Sequence, residues 1–160
     1  MELDGGLAET VVQGNNMREA DREEFLKNFE IEHESSFVAF CVMGGIFGEG
    51  IDLTNDKLIG AIVVGTGLPQ IGSEREILKN YFDERSGNGF DYAFRYPGMN
   101  KVLQAAGRVI RTAEDRGVIL LLDERFLQSD YKNLYPREWN NYQVCNINTI
   151  ETVVKEFWEK

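Results

Sequence analysis

Apolar residues along this chain gather in short, uninterrupted blocks rather than alternating with polar ones. Phe37 to Met43, Ile59 to Val64 and Val118 to Leu122 stand out. A strand that is apolar on both faces is covered on both faces, which is the condition of a parallel sheet flanked by helices, so these blocks predict buried strands of an α/β domain. Thr10 to Gln13 is a shorter, fourth candidate.

Between the blocks the spacing changes to that of amphipathic helices. Asn16 followed by Glu19 opens a stretch with Phe25, Leu26 and Phe29 on one stripe. Ser73 followed by Glu76 reads as a capping box ahead of Ile77, Leu78, Tyr81 and Phe82. From Asn148, with Glu151 three residues on, Ile150, Val153, Val154, Phe157 and Trp158 recur at i, i+3, i+4, i+7 and i+8, which predicts a last helix docked on the sheet. Arg85 to Gly89 and Pro97-Gly98 read as loops, Tyr131 to Asn141 as an irregular stretch, and His33 as a surface residue in a charged turn. The aromatics at Phe90, Tyr92, Phe94 and Tyr96 alternate as in a strand or loop packed on the core; stacking of bases in a single-strand channel is the other use of such a row. Strand and helix alternation argues for a doubly wound or RecA-like arrangement, a parallel sheet with helices on both faces, whose strand order the pattern leaves open.

Composition narrows this picture. A chain of 160 residues fits one domain with a sizeable core. Its 17 Lys and Arg against 27 Asp and Glu give a net charge of −10, which repels a phosphate backbone at long range, so contact with nucleic acid must be local or shared with another domain. No apolar stretch approaches the ~18 residues that span a bilayer, and the acidic start MELDGGLAET has no signal-peptide pattern, so neither a membrane span nor a secretory signal is expected. Cys41 and Cys145 lie far apart with His33 as the single imidazole, which suggests neither a zinc site nor a disulfide framework and fits a reducing, cytoplasmic setting.

Two segments carry candidate chemistry. GGIFGEGIDL, Gly44 to Leu53, follows the first block directly and holds four glycines in its first seven positions. Glycine lets a backbone approach a ligand closely or adopt φ above zero. The segment is neither GxxxxGK[ST] nor GxGxxG. Glu49 and Asp52 add carboxylates, and Asp52 could accept hydrogen bonds from a ribose or a guanidinium; a tight turn whose acids serve as caps is the competing reading.

The second segment is MNKVLQAAGRVIRTAEDRG, Met99 to Gly117. On a helical wheel Met99, Val102, Leu103, Ala106, Val109 and Ile110 fall within an arc of about 120°, the core side. Gln104, Arg108 and Arg111, at i, i+4 and i+7, fall within about 60° of one another on the opposite side. Guanidiniums one turn apart repel, so an anion is expected across from them, and the arginine fork suits phosphate oxygens. Neutralisation of a solvated face by Glu114, Asp115 or a neighbouring carboxylate is the competing reading. Gly107 costs about 1 kcal/mol of helix propensity relative to Ala, which suggests a close approach there. The next block, VILLLDERF, ends on Asp123, read as a turn residue because the chain has no phosphate loop for it to serve; DERS at Asp83 to Ser86 reads as a charge cluster inside a helix.

In this order, the two segments resemble motifs V and VI of superfamily 2 helicases in the form found in the DinG/XPD-like branch. GGIFGEGIDLTNDKLIGAIVVGTGLPQI, Gly44 to Ile71, resembles motif V with its following strand; QAAGRVIRTAEDRGVILLLDERF, Gln104 to Phe126, resembles motif VI with its following strand; MREADREEFLKNFE resembles the helix ahead of motif V. The resemblance implies a second RecA-like lobe, the C-terminal half of an ATP-dependent DNA helicase of the kind used in DNA repair. ATP would lie between two lobes, with the first lobe of the same parent holding most of it together with Mg2+. Arg108 and Arg111 would act as arginine fingers on the γ-phosphate, Gln104 would help position the cleft, and Gly48, Glu49, Gly50 and Asp52 would form the part of motif V that touches the nucleotide and couples it to single-stranded DNA. Many members hold an iron-sulfur cluster in the first lobe, and none is expected in this chain. Nothing here corresponds to motifs I, Ia, II, III or IV, so residues 1–160 are expected to be one lobe, a fragment unable to hydrolyse ATP alone. The reading from another class is a non-catalytic α/β interaction module that keeps the lobe's fold and binds a protein partner.

Overall fold

The computed structural model describes residues 8–47, 58–110, 112 and 114–160. Each of the four apolar blocks contains or overlaps a strand: β1 (Ala8–Val12), β2 (Ser36–Phe40), β3 (Gly60–Val64) and β4 (Val118–Leu122). All pairing is parallel, β1 on β2 with Ala8 opposite Ser36, and β3 on β4 with Gly60 opposite Val118. Among the described residues the strands form two separate pairs. β2 ends three residues before Met43, because the side chain of Gln13 takes over the ladder. Its Oε1 accepts the Val42 N–H at 2.9 Å while its own N–H donates to the Phe40 carbonyl at 2.8 Å, and the chain then turns at Gly44, whose φ is 73°.

α1 (Glu19–Lys27) begins later than Asn16, which sits at φ 57° in the preceding turn. Asp21 fixes the start by accepting the Arg18 backbone N–H at 2.9 Å and its guanidinium at 3.1 and 3.0 Å. α2 (Ser73–Ser86) has the extended Gly72 as its cap, so Ser73 is the first helical residue and the expected capping box is absent. Asp83 closes its other end, accepting from Lys79 Nζ at 2.8 Å and from the Gly89 N–H at 2.7 Å.

The aromatic row is helical, not extended. Asp91–Arg95 forms a π-helical turn in which the Tyr96 N–H reaches back to the Asp91 carbonyl, and it runs straight into α3 (Tyr96–Ala106). Pro97 and Gly98, expected in a loop, lie in the first turn of α3, where a missing N–H is tolerated. Pro97 has no N–H to give the Ala93 carbonyl four residues back, and Arg75 Nη1 donates to that carbonyl at 3.3 Å. Arg95 bridges Asp91 at 2.5 Å and Asp130 at 3.0 Å, tying the π turn to α4 (Ser129–Lys132).

α3 is the centre of the core. Met99 and Val102 are 1 % and 0 % exposed, and pack with Val63 of β3, Phe126 and Tyr131. The Val63 and Leu121 face of the β3–β4 pair is thus covered by α3, whereas Ile62 and Val64 on the other face stay 61 % and 71 % exposed. The last helix, α5 (Ile150–Trp158), is only partly docked. It lines an apolar groove of about 830 Å³ together with β4, and none of its residues is buried. Arg116 tethers it, donating to the Phe157 carbonyl with its guanidinium 4.9 Å from the Phe157 ring and 5.5 Å from Trp158.

Candidate functional site

Ligands of parallel α/β domains gather at the carboxyl ends of the strands, and here those ends are drawn together by close backbone approaches. Beyond β3 the chain passes through Gly65 and Gly67, at φ 81° and 66°, with Thr66 between them only 1 % exposed. A Cβ on Gly67 would lie 2.8 Å from the Gly98 carbonyl oxygen, and one on Gly98 would lie 2.6 Å from that of Thr66. Glycine at both positions therefore lets the start of α3 press directly on the exit of β3. The Thr66 hydroxyl is buried there without a hydrogen-bond partner among the described residues.

Beyond β2, Met43 packs on the α3 core and Phe47 stacks on Phe25 with centroids 4.2 Å apart. Gly44 lies against the stem of Lys101, whose Cδ is 2.9 Å from where a Cβ would stand. The stretch that leads into Gly48 is therefore laid on α3 three residues before Gln104, and the two segments singled out from the sequence adjoin.

Gln104 is exposed on the last turn of α3. The helix does not continue through Arg108. Gly107, Arg108 and Val109 donate to the carbonyls of Leu103, Ala105 and Ala106 at 2.8, 3.3 and 3.1 Å; the last two bonds span three residues and wind the chain out of the helix. The low helix propensity of Gly107 is the physical reason. The continuous helix predicted to carry Gln104, Arg108 and Arg111 thus ends before Arg108. Arg108 is half-buried and already engaged within the chain, so it is not the uncompensated cation that the helical wheel implied. Val109 stays in the core but Ile110 is 42 % exposed. Arg111, Gly48, Glu49, Gly50 and Asp52 lie outside the described residues.

Asp123 is a turn residue, as expected. It accepts the Arg125 N–H at 2.9 Å and the guanidinium at 2.9 and 2.7 Å, and Arg125 holds its carboxyl below the ordinary range, chiefly through these side-chain bonds. Lys101 was missed. It makes no ion pair among the described residues, and its spacing to Gln104 and Arg108, i, i+3 and i+7, was the available signal. The charge on Lys101 extends the polar side of α3 toward the glycine segment.

Parallel strands, a buried helix and a glycine-rich strand exit laid against that helix define an α/β lobe of the RecA-like class. The helicase C-terminal domain family matches residues 5–142, and the chain belongs to that family, in its DinG/XPD-like branch. It is 28 % identical to a regulator of telomere elongation helicase 1 homolog of Caenorhabditis briggsae over 140 residues, 80 % of this chain and 14 % of that protein. It is 31 % identical to the ATP-dependent DNA helicase DinG of Photobacterium profundum over 125 residues, 77 % of this chain and 17 % of that one. A solved XPD helicase matches with a TM-score of 0.61 and 23 % identity, over 78 % of this chain and 22 % of that chain, which supports the fold. The chain therefore spans less than a fifth of the length of these two curated relatives. Among the described residues, no helix is long and apolar enough to cross a membrane.

Proposed function

We propose that this lobe is the ATP-coupling and nucleic-acid-contacting half of an ATP-dependent DNA helicase. The observation that carries the reading is the contact of Gly44 with Lys101, which joins the approach to the glycine-rich segment to the helix that carries Gln104 in its last turn. The cations of that region, Lys101, Arg108 and Arg111, suit a polyphosphate better than any other common ligand. In this reading the nucleotide and its magnesium ion are held mainly by a first lobe of the parent protein. Arg108 and Arg111 face the γ-phosphate, where guanidiniums stabilise the charge that develops in phosphoryl transfer. Gln104 orients the cleft, Glu49 and Asp52 border it, and Gly48 and Gly50 let the backbone come close.

In a protein carrying both lobes, Arg111→Ala is expected to lower ATP turnover at least ~100-fold with folding little changed, because arginine fingers elsewhere contribute about 10³- to 10⁵-fold. Near-normal turnover would remove the assignment. The net charge of −10 favours a second reading, a non-catalytic interaction module. Titration of the two-lobed protein with ATP and single-stranded DNA separates the two: DNA-stimulated hydrolysis supports the helicase, and its absence the module.

A further inference from the structure

His33 is the single histidine of the chain and is not a free surface residue. Its Nδ1 lies 2.6 Å from Glu9 Oε2 on β1, and its Nε2 lies 2.7 Å from the Asn28 carbonyl oxygen at the end of α1. The ring lies flat on Phe37 of β2, centroids 4.3 Å apart and planes 6° from parallel. Both nitrogens thus meet acceptors. A neutral imidazole can donate to only one of them, leaving its other lone pair against an oxygen, whereas an imidazolium donates to both. The geometry selects the charged form.

We propose that His33 is a proton-dependent latch, which in its imidazolium form fastens α1 to the β1–β2 pair and releases that joint when it loses its proton. The inference goes beyond the helicase reading and does not depend on it. The charged group facing the ring from β1 is Glu9; α1 presents the Asn28 carbonyl, β2 presents the Phe37 ring, and no cation from these elements contacts it among the described residues. Glu30, Glu32 and Glu34 adjoin it in its own turn. The bonds to the Asn28 carbonyl and to Glu9 raise the imidazolium's pKa above the ordinary 6.5. A raised value in the folded chain means that the latch contributes fully below pH 6.5 and is lost as pH rises through the folded pKa. The unit it fastens is the one that delivers the chain to Gly44, so deprotonation would loosen the approach to the glycine-rich segment.

Because there is one imidazole, proton NMR of the full 160-residue chain reads it without ambiguity. The expected result is a midpoint above 6.5 in the wild type that moves back toward 6.5 in Glu9→Gln, with amide exchange in β1 and at the end of α1 accelerating across the wild-type midpoint. A wild-type midpoint at or below 6.5 overturns the proposal, as does one indifferent to Glu9→Gln. His33→Gln provides the second arm: exchange in β1 should lose its step with pH near neutrality, and a step of unchanged size in that variant would assign it to another group.

Discussion

The two strand pairs of this lobe are held by different physics. Around β3, α3 and β4 the core is built from Met99, Val102, Val63, Phe126 and Tyr131, nearly all of it out of water. Around β1, α1 and β2 only Phe25 and Phe47 are buried among the described residues, and the rest of the joint is made of oriented contacts: Phe29 edge-on to Phe37 at 5.2 Å, His33 flat on Phe37, and Gln13 and Glu9 supplying hydrogen bonds. Burial of aliphatic surface is non-directional and indifferent to pH, whereas stacked rings and charged hydrogen bonds depend on angle and on protons. The first half should therefore behave as the scaffold and the second as the part that opens first.

The largest expected effect tests this directly. Met99→Ala should cost about 2–5 kcal/mol, the range for truncating a fully buried side chain, read from the urea midpoint. Phe29→Leu, which keeps apolar bulk but loses the edge-to-face contact, should cost about 0.5–1.5 kcal/mol. Equal losses would erase the distinction between the halves.

Next in size are the glycines after β3. Gly67→Ala must tolerate both φ 66° and the Gly98 carbonyl, and should cost about 1–3 kcal/mol. Gly65→Ala, at φ 81° with open space around its Cβ position, carries the backbone term alone, about 1–2 kcal/mol. A larger loss at Gly65 would mean that the α3–β3 approach is not what the second glycine serves.

pH should separate the halves with smaller effects of opposite sense. Asp123, its pKa lowered by Arg125, supports the exit of β4 above its unfolded value near 3.8, and that support is lost as pH falls through the lowered folded value. His33 gives the reverse on the other pair, with loss as pH rises above 6.5. Hydrogen exchange should therefore protect residues around Asp123 less only in acid, and β1 less only toward alkali, with Asp123→Asn abolishing the acid limb.

Much of this was legible in the sequence, and the misses share a cause. Block apolarity located every strand among the described residues, but burial on both faces does not follow from it: Val63 is buried under α3, whereas Ile62 and Val64 stay exposed on the opposite face. The wheel drawn on α3 placed Met99, Val102 and Ala106 correctly, since core packing and helical period agree there. It failed after Gly107, where low propensity and three-residue hydrogen bonds override the period, so the helix ends before Arg108. Phe90 to Tyr96 was misread for a related reason. Two-residue alternation of aromatics mimics a strand, and only the downstream Pro97, with Arg75 serving the Ala93 carbonyl, reveals a helix start. The contacts of His33 with Glu9 and of Gly44 with Lys101 are long-range, and no local pattern encodes them. That Arg108 is engaged within the chain agrees with the competing reading of its face, neutralisation from within the chain.

The smallest expected effect is a gain. Thr66 is walled in between Gly65 and Gly67 with its hydroxyl unpartnered among the described residues, an arrangement that ordinarily costs about 1–3 kcal/mol. Thr66→Val keeps the branched shape and removes the polar atom, so the scaffold half should become more stable by about 1 kcal/mol, seen as a higher urea midpoint at unchanged slope. The sign is the informative part. A gain means that the turn after β3 keeps a hydroxyl against its own stability, in the most rigid part of the lobe and at the carboxyl end of the strand. A loss means that the hydroxyl is bonded, through water or otherwise, and that the junction of β3 with α3 is partly polar, which would narrow the contrast with the latch-held half.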